Sequence, residues 1–135
     1  IIEKVSIVSA NPIIRKKLIE YQRKMSIGKD VILEGRDIGT VVFPNADFKF
    51  FLNADIKERA KRRQLQLKKN GYNVSLSDLI HMINKRDLND INREISPLIK
   101  ANDAIEIDTT NLNIDDQVSQ MLDIVMTTIK KGARL

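Results

Sequence analysis

Val31-Ile32-Leu33-Glu34-Gly35-Arg36-Asp37-Ile38-Gly39-Thr40 runs from a short apolar stretch straight into a turn. Arg36 and Asp37 lie between two glycines, with Glu34 just ahead of them. Three apolar residues in a row predict a strand buried on both faces, as in a parallel sheet. Gly35 and Gly39 suit a sharp turn and the close approach of a ligand. Parallel α/β sheets bind ligands beyond the carboxyl ends of their strands, and Arg36 and Asp37 fall at that point. Two readings stay open for this stretch alone. One is a ligand site; the other is a surface turn with an ordinary ion pair.

Working outward, two more strands are expected. Phe48 to Leu52 is nearly all apolar and reads as buried. Ala104 to Ile107 leads into Asp108-Thr109-Thr110. Helices alternate with these strands. Asn11-Pro12 is a helix start, with Ile14, Leu18, Tyr21 and Met25 on one apolar face and an end near Gly28. Arg15 lies off that stripe. Asp55-Ile56-Lys57-Glu58 has capping-box spacing and opens a helix to about Lys69, stopped by Asn70-Gly71. Ser75 with Asp78 opens another, with Leu79, Met82 and Ile83 expected inside, running towards Arg93 before Pro97. Asn113 with Asp116 caps the last helix, in which Val118, Met121, Leu122, Val125, Met126 and Ile129 keep helical spacing. The pattern predicts one α/β domain over residues 1–135, a parallel sheet with flanking helices.

Composition narrows the function. The chain has 135 residues, with 42% hydrophobic and 30% charged, so it is globular. It has no Cys, which excludes disulfides, thiolate metal sites and cysteine nucleophiles. A single His, His81, argues against a histidine metal site or triad. Aromatics are 4% with no Trp, a poor base-stacking platform, so no nucleic-acid partner is expected. The net charge of +5 favours anionic partners. No apolar run approaches a membrane span and no signal-peptide pattern is present, so a cytoplasmic location is the default expectation. The chain starts at Ile1 and reads as the interior of something longer.

Three constellations carry chemistry. Arg36 can bind phosphate oxygens through its planar fork, and Asp37 can orient an arginine or accept from a ligand amino group. Arg86, Asp90 and Arg93 are spaced i, i+4, i+7 and share a face if their helix continues. Such a row is commonly a solvated, salt-bridged surface. Here it continues the apolar row of Leu79, Met82 and Ile83, as expected where a helix leaves a core and lines a cleft. Arg59, Arg62 and Arg63 form a dense basic patch that can clamp polyphosphate, or serve only as a solubilising face. No G-x-x-x-x-G-K-[ST] phosphate loop occurs in these residues.

Two segments carry a resemblance. They are VILEGRDIGTVVFPNADFKFFLNADIKERAKRRQLQL and INKRDLNDINREISPLIKANDAIEIDTT. They are similar, in order and at close to the same spacing, to the bacterial cytidylate kinase family of nucleoside monophosphate kinases. Its pattern is D-G-R-D-[IM]-G-T-V-V-F-P, then E-R-A-x-R-R-x-x-Q-L, then R-D-x-x-D-x-x-R-x-x-x-P-L. The resemblance implies a three-layer P-loop kinase fold, incomplete here because the first strand and phosphate loop lie upstream of residue 1. It implies CMP-binding elements over 5–40 and 85–97 and a lid over about 53–71. Ser6, Arg15 and Asp37 would contact cytosine. Arg36 and Arg93 would hold the α-phosphate of CMP, and Arg86 and Asp90 the ribose hydroxyls. Arg59, Arg62 and Arg63 would act in a lid over the ATP phosphates, with Asp108-Thr109-Thr110 towards the adenine. Glu34 stands where the family usually has Asp.

The implied reaction is phosphoryl transfer from ATP to CMP or dCMP. Mg²⁺ would be carried by the nucleotide, with no metal ligand assigned to the protein. The implied partners are CMP or dCMP and ATP, with no membrane. The complete enzyme is expected as a monomer, and the chain here as a possible match for a complementing P-loop fragment. Residues 1–135 alone are expected to bind CMP weakly and to lack kinase activity. The alternatives are an inactive fragment, the partner chain of a split kinase, or a basic nucleic-acid-binding module.

Overall fold

The computed structural model describes residues 11–131. Ser6 and the lead-in expected over 1–9 lie outside the described residues. In chain order the elements are α1 (Pro12–Ser26), one π-helical turn (Ile38–Val42), β1 (Phe50–Asn53), α2 (Ile56–Lys69), α3 (Leu76–Ile91), β2 (Ile105–Asp108) and α4 (Ile114–Lys130). Packing groups them into two compact units. One holds the described residues up to Ala46 together with Asn89–Ala101. The other holds Asp47–Leu88 and the described residues from Asn102 on.

The fold is α/β. In the second unit β1 and β2 pair in parallel, with Phe50 opposite Ile105 and Asn53 opposite Asp108. Ile105 N donates to Lys49 O at 2.9 Å and Thr109 N to Asn53 O at 2.8 Å, which extends the ladder at both ends. Ala54, Ala60, Leu79 and Ile107 are the buried apolar residues of this unit. β1 is not the buried strand its composition suggests: Phe50 and Phe51 are half-buried, and Leu52 is 52% exposed. Among the described residues it has one neighbour, in a two-stranded sheet. An apolar run reports what a strand can bury, not how much cover it has.

The third expected strand does not form. Val31 to Leu33 has no regular structure, and Ile32 is fully exposed. A strand exists only when a neighbour satisfies its backbone donors and acceptors. Among the described residues no strand pairs with this stretch.

All four helices among the described residues start where sequence places them. Asn11 Oδ1 accepts from Ile13 N and Ile14 N, and Pro12 sits at the first helical position of α1. Asp55 Oδ1 accepts from Lys57 N at 2.8 Å at the head of α2. Ser75 Oγ accepts from Asp78 N and donates to Asp78 Oδ2, starting α3. Asn113 Oδ1 accepts from Asp116 N at α4. α2 stops at Asn70-Gly71, where Gly71 has φ of +80°.

The apolar stripes are less covered than periodicity predicts. Tyr21 and Met25 of α1, Met82 of α3, and Leu122 and Ile129 of α4 are all exposed. Periodicity sets which side chains share a face; it does not supply the surface they pack on.

α3 ends at Ile91, so Arg93 is not on the helix. Leu98 N donates to Asp90 O at 2.8 Å, and Ser96 takes a left-handed φ of +56°. The chain doubles back before Arg93 can complete the i+7 position. The expected single helix face through Arg86, Asp90 and Arg93 is therefore corrected to two helical residues and one loop residue.

Candidate active site

The first unit is built around the π-turn that follows Arg36-Asp37. Asp37 O accepts from Val41 N at 2.8 Å and Val42 N at 3.2 Å, and Phe43 N donates to Ile38 O at 2.7 Å. A π-turn widens the backbone ring by one residue and often marks a functional position. Arg23 of α1 closes it from outside, donating through Nε to Val42 O and through Nη2 to Val41 O. Val42 is fully buried beneath. Gly35 and Gly39 do not take left-handed backbone conformations. Gly35 is needed for space instead, because a Cβ there would lie 2.8 Å from Ile38 Cγ1.

Two buried carboxylates then organise the arginines. Asp37, 5% exposed, is gripped by Arg15, which donates from Nε to Oδ2 at 3.0 Å and from Nη2 to Oδ1. This is the two-point fork geometry that guanidinium and carboxylate favour. Asp90 is completely buried and joins two arginines. Arg36 Nε donates to its Oδ2 at 2.7 Å, and Arg93 Nη2 to its Oδ1. Asp37 thus orients Arg15 and not the adjacent Arg36, whose partner is 54 residues away. Both carboxylate oxygens of Asp90 face guanidinium groups.

Arg15, Arg36, Asp37, Asp90 and Arg93 all belong to this first unit. Their adjacency is a tertiary result, since they come from α1, the π-turn approach, the last turn of α3 and the loop beyond it. Arg86 lies one turn before Asp90 on α3, within the second unit.

In the second unit the three arginines of the basic helix, Arg59, Arg62 and Arg63, divide. Arg59 donates through Nε to Ala54 O at 3.1 Å and through Nη1 to Asp87 Oδ2 at 2.5 Å. Arg63 donates to Gln66 one turn along its own helix. Arg62 turns to the loop after β2, reaching Thr109 Oγ1 at 3.2 Å and the backbone oxygens of Thr109, Thr110 and Leu112. The loop is also stitched internally: Asp108 Oδ1 accepts from Thr110 N and Thr110 Oγ1. Those hydrogen bonds from Thr110 hold the Asp108 carboxyl below the usual carboxylate range.

Sequence reading missed Lys49 and Asp87. Lys49 is 9% exposed and donates to both oxygens of Asp103, at 2.9 and 2.6 Å. That hydrogen bond from Lys49 holds the Asp103 carboxyl below its ordinary value. The available signal was a charge inside the apolar run Phe48-Lys49-Phe50-Phe51. Asp87 adjoins Arg86 in the motif, but nothing in its spacing identifies Arg59 as its partner. His81 is exposed.

No group of three or more His, Cys, Asp or Glu among the described residues gathers where a metal ion could be held. Among the described residues no helix is long and apolar enough to cross a membrane.

The family model described as cytidylate kinase matches residues 1–127. The chain belongs to the cytidylate kinase family. Among curated relatives of that name, the protein of Lactobacillus johnsonii is 52% identical over 125 residues, 93% of this chain and 54% of that protein. The one from Acholeplasma laidlawii is 47% identical over 123 residues, 91% of this chain and 55% of that protein. That of Geobacter sulfurreducens is 49% identical over 120 residues, 89% of this chain and 52% of that protein. The chain spans about half the length of the curated relatives it matches. Membership of the family agrees with the order of the three motifs and with the parallel strand pairing.

Proposed function

We propose that this chain carries the CMP-binding side and the lid arginines of an enzyme that transfers a phosphoryl group from ATP to CMP or dCMP in the cytoplasm. The observation that carries the reading is the buried Asp90 carboxylate with Arg36 and Arg93 on its two oxygens. Two guanidinium groups fixed on one carboxylate make a rigid cationic pair. Arg36 keeps 39% of its side chain exposed, so its remaining donors can meet a phosphate.

Phosphoryl transfer asks mainly for positioning and charge neutralisation. Arg36 and Arg93 would hold the α-phosphate of CMP. The attacking phosphate oxygen is already ionised, so no general base is assigned. Asp37, held by Arg15, presents a carboxylate suited to a cytosine amino group, and Ser6 and Arg86 complete the proposed contacts to base and ribose. Asp90 would engage the ribose hydroxyls with Arg86, and it also positions Arg36 and Arg93, since each carboxylate oxygen can accept more than one hydrogen bond. Arg59 and Arg63 would neutralise charge on the transferring group, and Asp108-Thr109-Thr110 would lie towards the adenine. Magnesium supplies further charge neutralisation when bound. It would arrive on the ATP phosphates.

The test is calorimetric CMP binding to the full-length natural enzyme with Arg36→Ala. Loss of a charged pair to phosphate is expected to weaken CMP at least about a hundredfold, roughly 3 kcal/mol. Unchanged CMP affinity would sink the assignment.

A further inference from the structure

Arg62 stands apart from its two helix neighbours. Its guanidinium reaches one short stretch of chain: the Thr109 hydroxyl at 3.2 Å, the Thr109 carbonyl, and the Thr110 and Leu112 carbonyls at 3.4 Å. Three carbonyl oxygens turned towards one point repel one another unless a cation sits among them. The same loop is tied at its base. Thr109 is 4% exposed and donates through N and Oγ1 to Asn53 O, while Asp55 N donates to Thr110 Oγ1 at 2.9 Å. Gln117 Nε2 also donates to Leu112 O at 3.2 Å. Arg62 is the cationic member of this set.

Resting on the reading of the 108–110 loop as the adenine side, we propose that Arg62 is a positioning residue for the donor nucleotide and not a contact to its phosphates. It shapes the loop that receives the base. A trans peptide is planar, so its N–H points opposite to its C=O. Drawing Thr110 O towards Arg62 turns the Asn111 N–H the other way, as a donor for an acceptor nitrogen on the edge of a purine. Arg63 and Arg59 are left for the phosphates.

The substitutions Arg62→Gln and Arg62→Lys in the full-length enzyme test this. Lysine keeps the charge but cannot place one donor nitrogen on the Thr109 hydroxyl and a second on the carbonyls, as the Nη1–Nη2 fork of Arg62 does. Both variants should speed amide hydrogen exchange at 110–113 and leave Ile105–Asp108 protected, the latter confirming that the sheet is folded. Both should raise KM for ATP about tenfold, the upper end of what one neutral hydrogen bond is worth, with KM for CMP held. Unchanged exchange at 110–113 overturns the proposal. So does faster exchange with KM for ATP unmoved, and so does a fall in kcat that Arg62→Lys restores, which marks a phosphate contact. A wild-type enzyme that forms no CDP would instead overturn the functional reading on which the inference rests.

Discussion

The two units differ in what they bury most deeply. Among the described residues of the first, the most deeply buried side chains besides Val42 are carboxylates, Asp37 and Asp90, each satisfied by arginine. Among the described residues of the second, burial falls mainly on Ala54, Ala60, Leu79 and Ile107, with Thr109 and the ion-paired Lys49 as its buried polar groups. Apolar burial is non-directional and tolerates small changes of shape. A buried ion pair is directional: removing one partner leaves the other charged and desolvated. The unit proposed to hold CMP therefore uses for its own cohesion the kind of groups it would offer to a ligand. Its geometry is precise for the same reason that it is fragile.

The largest expected effect breaks that contrast most directly. Asp90→Ala would strand Arg36 and Arg93 and should destabilise the first unit by about 3–5 kcal/mol. Hydrogen exchange resolved along the chain would show the loss in residues 11–46 and 89–101, with the β1–β2 ladder spared. A cost below about 1 kcal/mol would mean that the first unit is held by apolar contacts after all.

A smaller effect compares like with like. Asn11→Ala removes the cap of α1 in the first unit, and Asp55→Ala the cap of α2 in the second. Each should cost about 1 kcal/mol, since a lost cap leaves one or two amide donors unpaired whatever the unit's core. Urea denaturation of the two variants measures this. A several-fold difference between them would show that helix ends, and not only cores, distinguish the units.

The smallest effect is in pH and belongs to the second unit. Hydrogen bonds from Lys49 and from Thr110 lower the folded pKa of Asp103 and Asp108 below their ordinary value of 3.8. A depressed carboxylate favours the folded state above its unfolded pKa and loses that contribution as pH falls through the folded one. Stability of the second unit should therefore decline below about pH 4. Asp103→Asn should flatten part of that decline in thermal unfolding against pH. An unaltered acid limb would remove Asp103 from the account.

Helix starts were legible from the chain because a cap is local. Asn11, Asp55, Ser75 and Asn113 each satisfy amides two or three residues on, and no distant residue can alter that geometry. β1 and β2 were legible as apolar runs, and the three motifs pointed to the family. Val31 to Leu33 misled because strand formation depends on a partner, and an apolar triplet carries no information about whether one is present. Arg93 misled because helical phase was extended past Ile91, where a backward turn sealed by the Leu98 N–H ends it.

By itself, then, the sequence determined the helices, the α/β class, the family and the residue types available for phosphate and base. Only the tertiary structure decided the pairings: Arg36 with Asp90, Asp37 with Arg15, and Arg62 with the loop after β2 instead of open solvent. The physical reason is range. Caps and periodicity act over a few residues. A guanidinium on a long side chain chooses among every acceptor that folding brings near, and the acceptors here lie 22 to 54 residues away.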